Sequence, residues 1–217
     1  MLNGQPKLSI TTLMAAMAAE LVCSVGKGCI IVLDAYFAVG PVFVILKQAV
    51  DDTGKRLVHI ITRAKSNAVG YQPPPPKTGN RGRPRKYGTK LKLMDLFETM
   101  AEDFEQTTIE LYGQSKTVCF LCLDLIWKPI GEKLRFVLVC DGSERFILMC
   151  SDLSLSAADI IRAYSYRFKI EVSFKVLKHL IGVFFYRFWN SAWPRIGKRT
   201  QSDLSASEDA RSHRLIG

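Results

Sequence analysis

The chain has 217 residues, 48% of them hydrophobic, with 30 Lys/Arg against 20 Asp/Glu and a formal net charge of +10. That hydrophobic share argues against a disordered chain and gives enough for one good-sized core, with a second domain allowed but not required. The basic excess points to an anionic partner, of which nucleic acid is the commonest.

In chain order, Thr11–Val25 reads as a short helix leading to a strand at Cys29–Leu33, with Asp34 at the strand's C-terminal end. Pro41–Ala49 reads as a helix. Cys29–Leu46 is 18 residues long with Asp34 as its only charge, long enough to span a bilayer. Gly40-Pro41 interrupts it, and an aspartate is costly in lipid, so strand, turn and helix is the better reading and no membrane partner is expected. Leu57–Thr62 is an apolar strand flanked by basic residues. Four consecutive prolines, Pro73–Pro76, then open a basic loop or extended arm. Leu93, Leu96, Phe97, Met100 and Phe104 recur at a helical period with an acidic polar side. Three strand-like runs follow at Thr117–Trp127, Arg135–Cys140 and Arg145–Cys150, the last two joined across Asp141-Gly142, a strong hairpin signal. Ser156 and Asp159 have the form of a capping box, opening a helix whose apolar contacts are Ile160, Ile161, Ile170, Phe174, Leu177 and Ile181. The reading is an ordered unit over 1–194, with a β-rich region and the basic arm over about 63–150, and a polar, disordered tail over 195–217.

The six cysteines (Cys23, Cys29, Cys119, Cys122, Cys140, Cys150) read as small buried hydrophobes in a reducing, cytoplasmic setting. In a strand Cys119 and Cys122 point to opposite faces, and only three histidines are present, so zinc is not expected.

Charge is concentrated. Lys77–Lys92 holds seven Lys/Arg and no acid, and Arg162–Lys178 holds five with Glu171 as the only acid. In the second segment, Y-S-Y-R-F-K-I-E-V-S-F-K-V-L-K, helical geometry places Arg167 about −40°, Tyr164 about +20° and Lys178 about −20° from Glu171. Glu171 can be read as an ordinary ion pair with Arg167 and Lys175. Asp34 is a second isolated acid, at a strand terminus, where α/β folds present ligands. An Asp at a strand end, a Glu on a helix and surrounding cations would suit Mg²⁺ or Mn²⁺ beside a phosphodiester.

Tyr164, Arg167, Glu171 and Lys178 match all four positions of Y-x₂-R-x₃-E-x₆-K, and the chain resembles the bacterial insertion-sequence transposases with a DDE catalytic triad that carry this signature. V-L-D-A-Y-F-A resembles that family's segment around its second catalytic Asp. The resemblance implies an α/β, ribonuclease-H-like catalytic core with a β-rich insertion, incomplete at the N-terminus. It implies Asp34 and Glu171 as catalytic, metal-holding carboxylates, with Mg²⁺ or Mn²⁺ as the only cofactor. Tyr164, Arg167, Lys175 and Lys178 would contact DNA, either transposon ends or target, with the protein as a homodimer on DNA in the nucleoid. The family's first Asp has no counterpart here, because no Asp precedes Asp34. Asp141 is better explained by its turn and Asp152 by its helix start. Arg81-Gly82-Arg83-Pro84, followed by Arg85 and Lys86, resembles an AT-hook, whose extended Arg-Gly-Arg fits a narrow minor groove; a basic loop contacting phosphates is the other reading. A DNA-binding remnant without cleavage activity is the competing function.

Overall fold

The structure is a computed structural model, described here for residues 9–76, 85–111 and 114–179. The chain divides into two compact units, Met1–Val172 and Ser173–Gly217. The disordered-tail expectation for 195–217, and Arg81, Arg83 and Ile181, lie outside the described residues.

The first unit is a mixed α/β structure on one open sheet. Helix α1 (Ile10–Val25) starts at Ser9, whose hydroxyl accepts the Thr12 N–H at 3.3 Å, and stops at Gly26, left-handed at φ 66°. Strand β1 (Cys29–Leu33) leads through a turn at Ala35–Phe37 into α2 (Gly40–Lys47), with Pro41 in its first turn, and on to β2 (Val58–Arg63). Strands β1 and β2 pair in parallel, so β1, α2 and β2 form a crossover unit and the 29–46 stretch is strand, turn and helix. Among the described residues no helix is long and apolar enough to cross a membrane.

Strands β3 (Val69–Tyr71), β4 (Lys90–Lys92), β5 (Glu105–Leu111), β6 (Gln114–Trp127), β7 (Glu132–Asp141) and β8 (Glu144–Cys150) follow. The sheet order is β1-β2-β8-β7-β6-β3-β4. Strand β6 has β7 on one edge, while β5 and β3 share the other, β5 along its first half and β3 at Ile126. The β-rich region is therefore not a separate layer: β8 joins β2 antiparallel, making one sheet of eight strands. Asp141-Gly142 turns β7 into β8 as the sequence requires, with Gly142 at φ 59°.

Alternation along the strands sorts side chains to two faces. Phe136, Leu138, Ile60 and Met149 pack with Val42, Phe43 and Leu46 of α2 and Ala15 of α1. Val137, Val139, Ile61 and Leu148 pack on the other face with Ala157, Ile160 and Ile161 of α4 (Ala157–Ser165).

Three expectations change. Leu93–Phe104 is not one helix: only α3 (Leu96–Thr99) and a tight turn at Ala101–Asp103 form, and Asp95 makes no side-chain cap. Leu93, Leu96 and Phe97 are buried, so core filling from turns produces the helical spacing. The helix expected after Ser156 is two, α4 and α5 (Arg167–His179), separated at Tyr166, where Tyr166 N–H to Ala163 and Lys169 N–H to Tyr166 are three-residue bonds. Ile170 and Phe174 are exposed rather than core. The cysteines are free, and only Cys150 is buried; Cys23 and Cys122 are exposed, because β6 turns Cys122 outward.

Candidate functional site

Asp34 sits where β1 ends. Its carboxylate caps the following turn, Oδ1 accepting the Ala35 N–H at 2.6 Å, and its carbonyl accepts the Phe37 N–H at 2.9 Å. The fully buried Thr62 of the neighbouring strand donates its hydroxyl to the same carbonyl at 2.9 Å. The backbone around Asp34 is thus fixed from within the turn and from the sheet.

Arg167, at the start of α5, links the two carboxylates singled out by sequence. Its Nη1 is 2.8 Å from Glu171 Oε1 and 3.9 Å from Asp34 Oδ2. The first contact is a hydrogen-bonded i,i+4 pair; the second is a longer electrostatic contact across the fold. Arg167 is the more enclosed partner, its side chain 27% exposed against 57% for Asp34 and 54% for Glu171. Its Nε is buried and, among the described residues, has no hydrogen-bond partner. Burial opposes the guanidinium charge, but Tyr164 and the two carboxylates outweigh it and raise its pKa.

Tyr164 closes the other side, its ring centroid 5.7 Å from the Arg167 guanidinium carbon. Partial burial pushes the Tyr164 hydroxyl above its ordinary pKa, and the charge of Arg167 works against that shift. Although the helix breaks at Tyr166, the turn keeps Tyr164, Arg167 and Glu171 together. Lys175 and Lys178 lie on α5 in the second unit, and both are exposed.

The basic arm is the connection of the β3–β4 hairpin. The Gly88 N–H donates to Gln72 at 2.9 Å and the Gln72 N–H to Thr89 at 3.0 Å, bringing the arm's two ends together. A Cβ on Gly88 would lie 2.4 Å from the Pro73 carbonyl oxygen, so glycine is required by close approach. Arg85 and Lys86 are exposed beside this base, with Lys86 Nζ 5.8 Å from the Tyr87 ring centroid. The hairpin lies at the opposite end of the sheet from β1, so it is not part of the Asp34 cluster.

Two contributors escaped sequence reading. Thr62 is a buried hydroxyl in an apolar strand, a signal visible only once its partner 28 residues away is known. Arg63, the next residue, is exposed, stacks on Phe146 at 5.4 Å and favours the ionised form of Tyr164. Asp141 pairs with Lys116 at 2.6 Å, and Asp152 accepts the Ser154 N–H and hydroxyl, so both are occupied locally.

Asp34 and Glu171 are two hard oxygen donors, both within reach of the Arg167 guanidinium. Among the described residues no group of three or more His, Cys, Asp or Glu is placed to hold a metal. No family model matches the chain, and comparison with curated proteins finds no significant match.

Proposed function

We propose that this chain is part of a DDE-type DNA transposase with a ribonuclease-H-like core, acting on DNA phosphodiesters. The observation that carries the reading is the meeting of Asp34, from the end of β1, and Glu171, from α5, at one arginine. The fold supports it further: a parallel β1–α2–β2 crossover with the acid at the strand's C-terminal end, and a β-rich stretch before the helix bearing Glu171.

In this reading Asp34 and Glu171 hold Mg²⁺ or Mn²⁺, which when bound activates water or a 3′-hydroxyl and neutralises charge on the phosphate. Arg167 keeps both carboxylates oriented. Tyr164 walls the site, and Lys175 and Lys178 contact the DNA backbone. Arg85 and Lys86 add contacts from the β3–β4 end of the sheet, and Arg81 and Arg83 are further candidate DNA contacts by sequence. Five strand spacings separate β1 from β3, about 24 Å, a distance that about seven base pairs of duplex span along their axis. DNA as partner places the protein at the nucleoid.

A second reading rests on the carboxylates: among the described residues Asp34 and Glu171 meet without a third, where the two-ion chemistry of this class uses three. It makes the chain a DNA-binding protein without cleavage. The test is binding and nicking of labelled duplex with Mg²⁺ or Mn²⁺ present and with chelator, for the chain and for Glu171→Gln. The proposal expects metal-dependent nicking lost in Glu171→Gln while binding survives. Binding without nicking selects the second reading, and no binding at low salt overturns both.

A further inference from the structure

Helix α1 is packed inside out. The side it turns to the body is made of small residues: Thr11 and Ala15 are buried, and Ala18, Ala19 and Val22 are half-buried against the core that includes α2. Its large apolar residues, Ile10, Leu13, Met14, Met17, Leu21 and Val25, are between 48% and 69% exposed. At about 100° per residue these six fall within an arc of roughly 120°, forming one stripe along a helix about 24 Å long. An ordinary surface helix has the reverse arrangement, and fixing the backbone of sixteen residues to bury mainly alanine yields little.

We propose that this stripe is the contact through which a second copy of the chain docks, α1 against α1, antiparallel about a two-fold axis. At their observed exposures the six side chains present roughly 600 Å² of apolar surface, the top of the range for the largest patch on a monomer. Two copies would bury roughly 1,200 Å² in all, the lower limit for a stable specific interface. The charge pattern selects a like partner. Glu20 is the only charged residue in α1, so the helix has nothing with which to choose a basic or acidic partner. Its first turn has no acid and its last turn no base, so no charged side chain within the helix compensates either end of its dipole. An antiparallel copy sets each positive end beside a negative one. With the two-fold near Met17, Met14 meets Leu21 of the second copy and Ile10 meets Val25. The flexible thioethers at the centre can interdigitate without a fixed register of branched side chains. The alanine side stays on the body, so pairing requires no rearrangement within either copy.

The inference does not rest on the DNA reading, and its test uses no DNA. Sedimentation velocity of the full chain across a micromolar concentration series should show mass moving from 24.4 kDa to twice that value. Met14→Glu with Leu21→Glu should remain monomeric throughout. Met14→Lys with Leu21→Lys should do likewise, and mixing the two variants should restore a dimer because positions 14 and 21 face each other. Met14 and Leu21 are both at least half exposed, so circular dichroism of either variant should match the parent. A parent that stays monomeric, or one that forms species larger than dimer, overturns the proposal. A dimer that persists in the Glu variant also overturns it, pointing to the open edge of β1. A monomeric parent that binds neutral phosphatidylcholine vesicles through α1 would replace the protein partner with a lipid surface.

Discussion

Replacing Thr62 by Val removes one hydroxyl from the base of the candidate site and leaves its shape. Thr62 is 0% exposed, and its hydroxyl donates at 2.9 Å to the Asp34 carbonyl. A buried acceptor left wholly unpaired costs about 1–3 kcal/mol. Here the same carbonyl keeps the Phe37 N–H at 2.9 Å, so the loss falls at the low end, about 1 kcal/mol. For a chain of this size that is a fall in Tm of roughly 2–4 °C. Urea unfolding at neutral pH, with amide exchange followed at Phe37 and Ala38, measures both consequences. The midpoint should drop with the slope unchanged, and exchange in the turn should accelerate relative to the β7–β8 ladder. A variant as stable as the parent, with exchange in the turn unaltered, would refute the idea that Thr62 fixes the backbone carrying Asp34.

Arg135 chelates Asp124, with both contacts at 2.8 Å, and donates to the Leu155 carbonyl at 2.6 Å. The hydrogen bonds from Arg135 hold the Asp124 carboxyl below its ordinary range, so their stabilisation exists above the unfolded pKa and fades as pH falls through the lowered folded value. Arg135→Met should therefore cost about 1 kcal/mol at neutral pH, solvent exposure of Asp124 reducing the ion-pair share, and that deficit should shrink in denaturant titrations below about pH 4. At the alkaline end, burial pushes the Cys150 thiol up to about 11, and its sulfur accepts the Asp152 N–H at 3.3 Å. The unfolded chain loses this proton first, so stability should fall as pH rises from about 9 to about 11, by at most about 3 kcal/mol. Cys150→Ala should flatten that slope while lowering the neutral-pH baseline through the cavity it leaves; an unchanged slope would remove Cys150 as its source.

The elements that sequence revealed are those whose own residues decide them. C-I-I-V-L needs two apolar faces, Asp141-Gly142 forces a hairpin, and Ser156 with Asp159 caps a helix at 3.1 Å wherever the helix goes. Strands β4 and β5 were missed because K-L-K and E-Q-T-T-I-E-L carry few apolar residues; they are strands because β3 and β6 lend them a ladder. The split at Tyr166 has no proline or glycine to announce it. Asp34, Tyr164, Arg167 and Glu171 stood out in the sequence because isolated acids and a cationic stripe contrast with apolar neighbours. That Arg167 would join the two acids was not legible, since 132 residues separate Asp34 from Arg167 and only the folded sheet brings them within reach.

Strands β2 and β8 meet at three residue pairs, Ile61–Cys150, Thr62–Met149 and Arg63–Leu148, between segments far apart in sequence. The Ser151 hydroxyl clasps the same junction, accepting the Ile60 N–H at 2.9 Å and Arg56 Nη2 at 3.1 Å. On either side the pairing is local: β6, β7 and β8 form a meander of adjacent strands, and β1, α2 and β2 form a self-contained crossover. Closing a loop of this length is entropically slower than forming either part, which sets an order of assembly. The β6-β7-β8 meander can form from near neighbours, and its joining to the crossover comes later. The Asp34 carboxylate then comes within reach of Arg167 only once β2 has joined β8, so a chain caught midway would hold the meander before the two acids meet. Refolding with amide exchange read separately at the β7–β8 ladder and at the β2–β8 junction would resolve these as an early and a late phase.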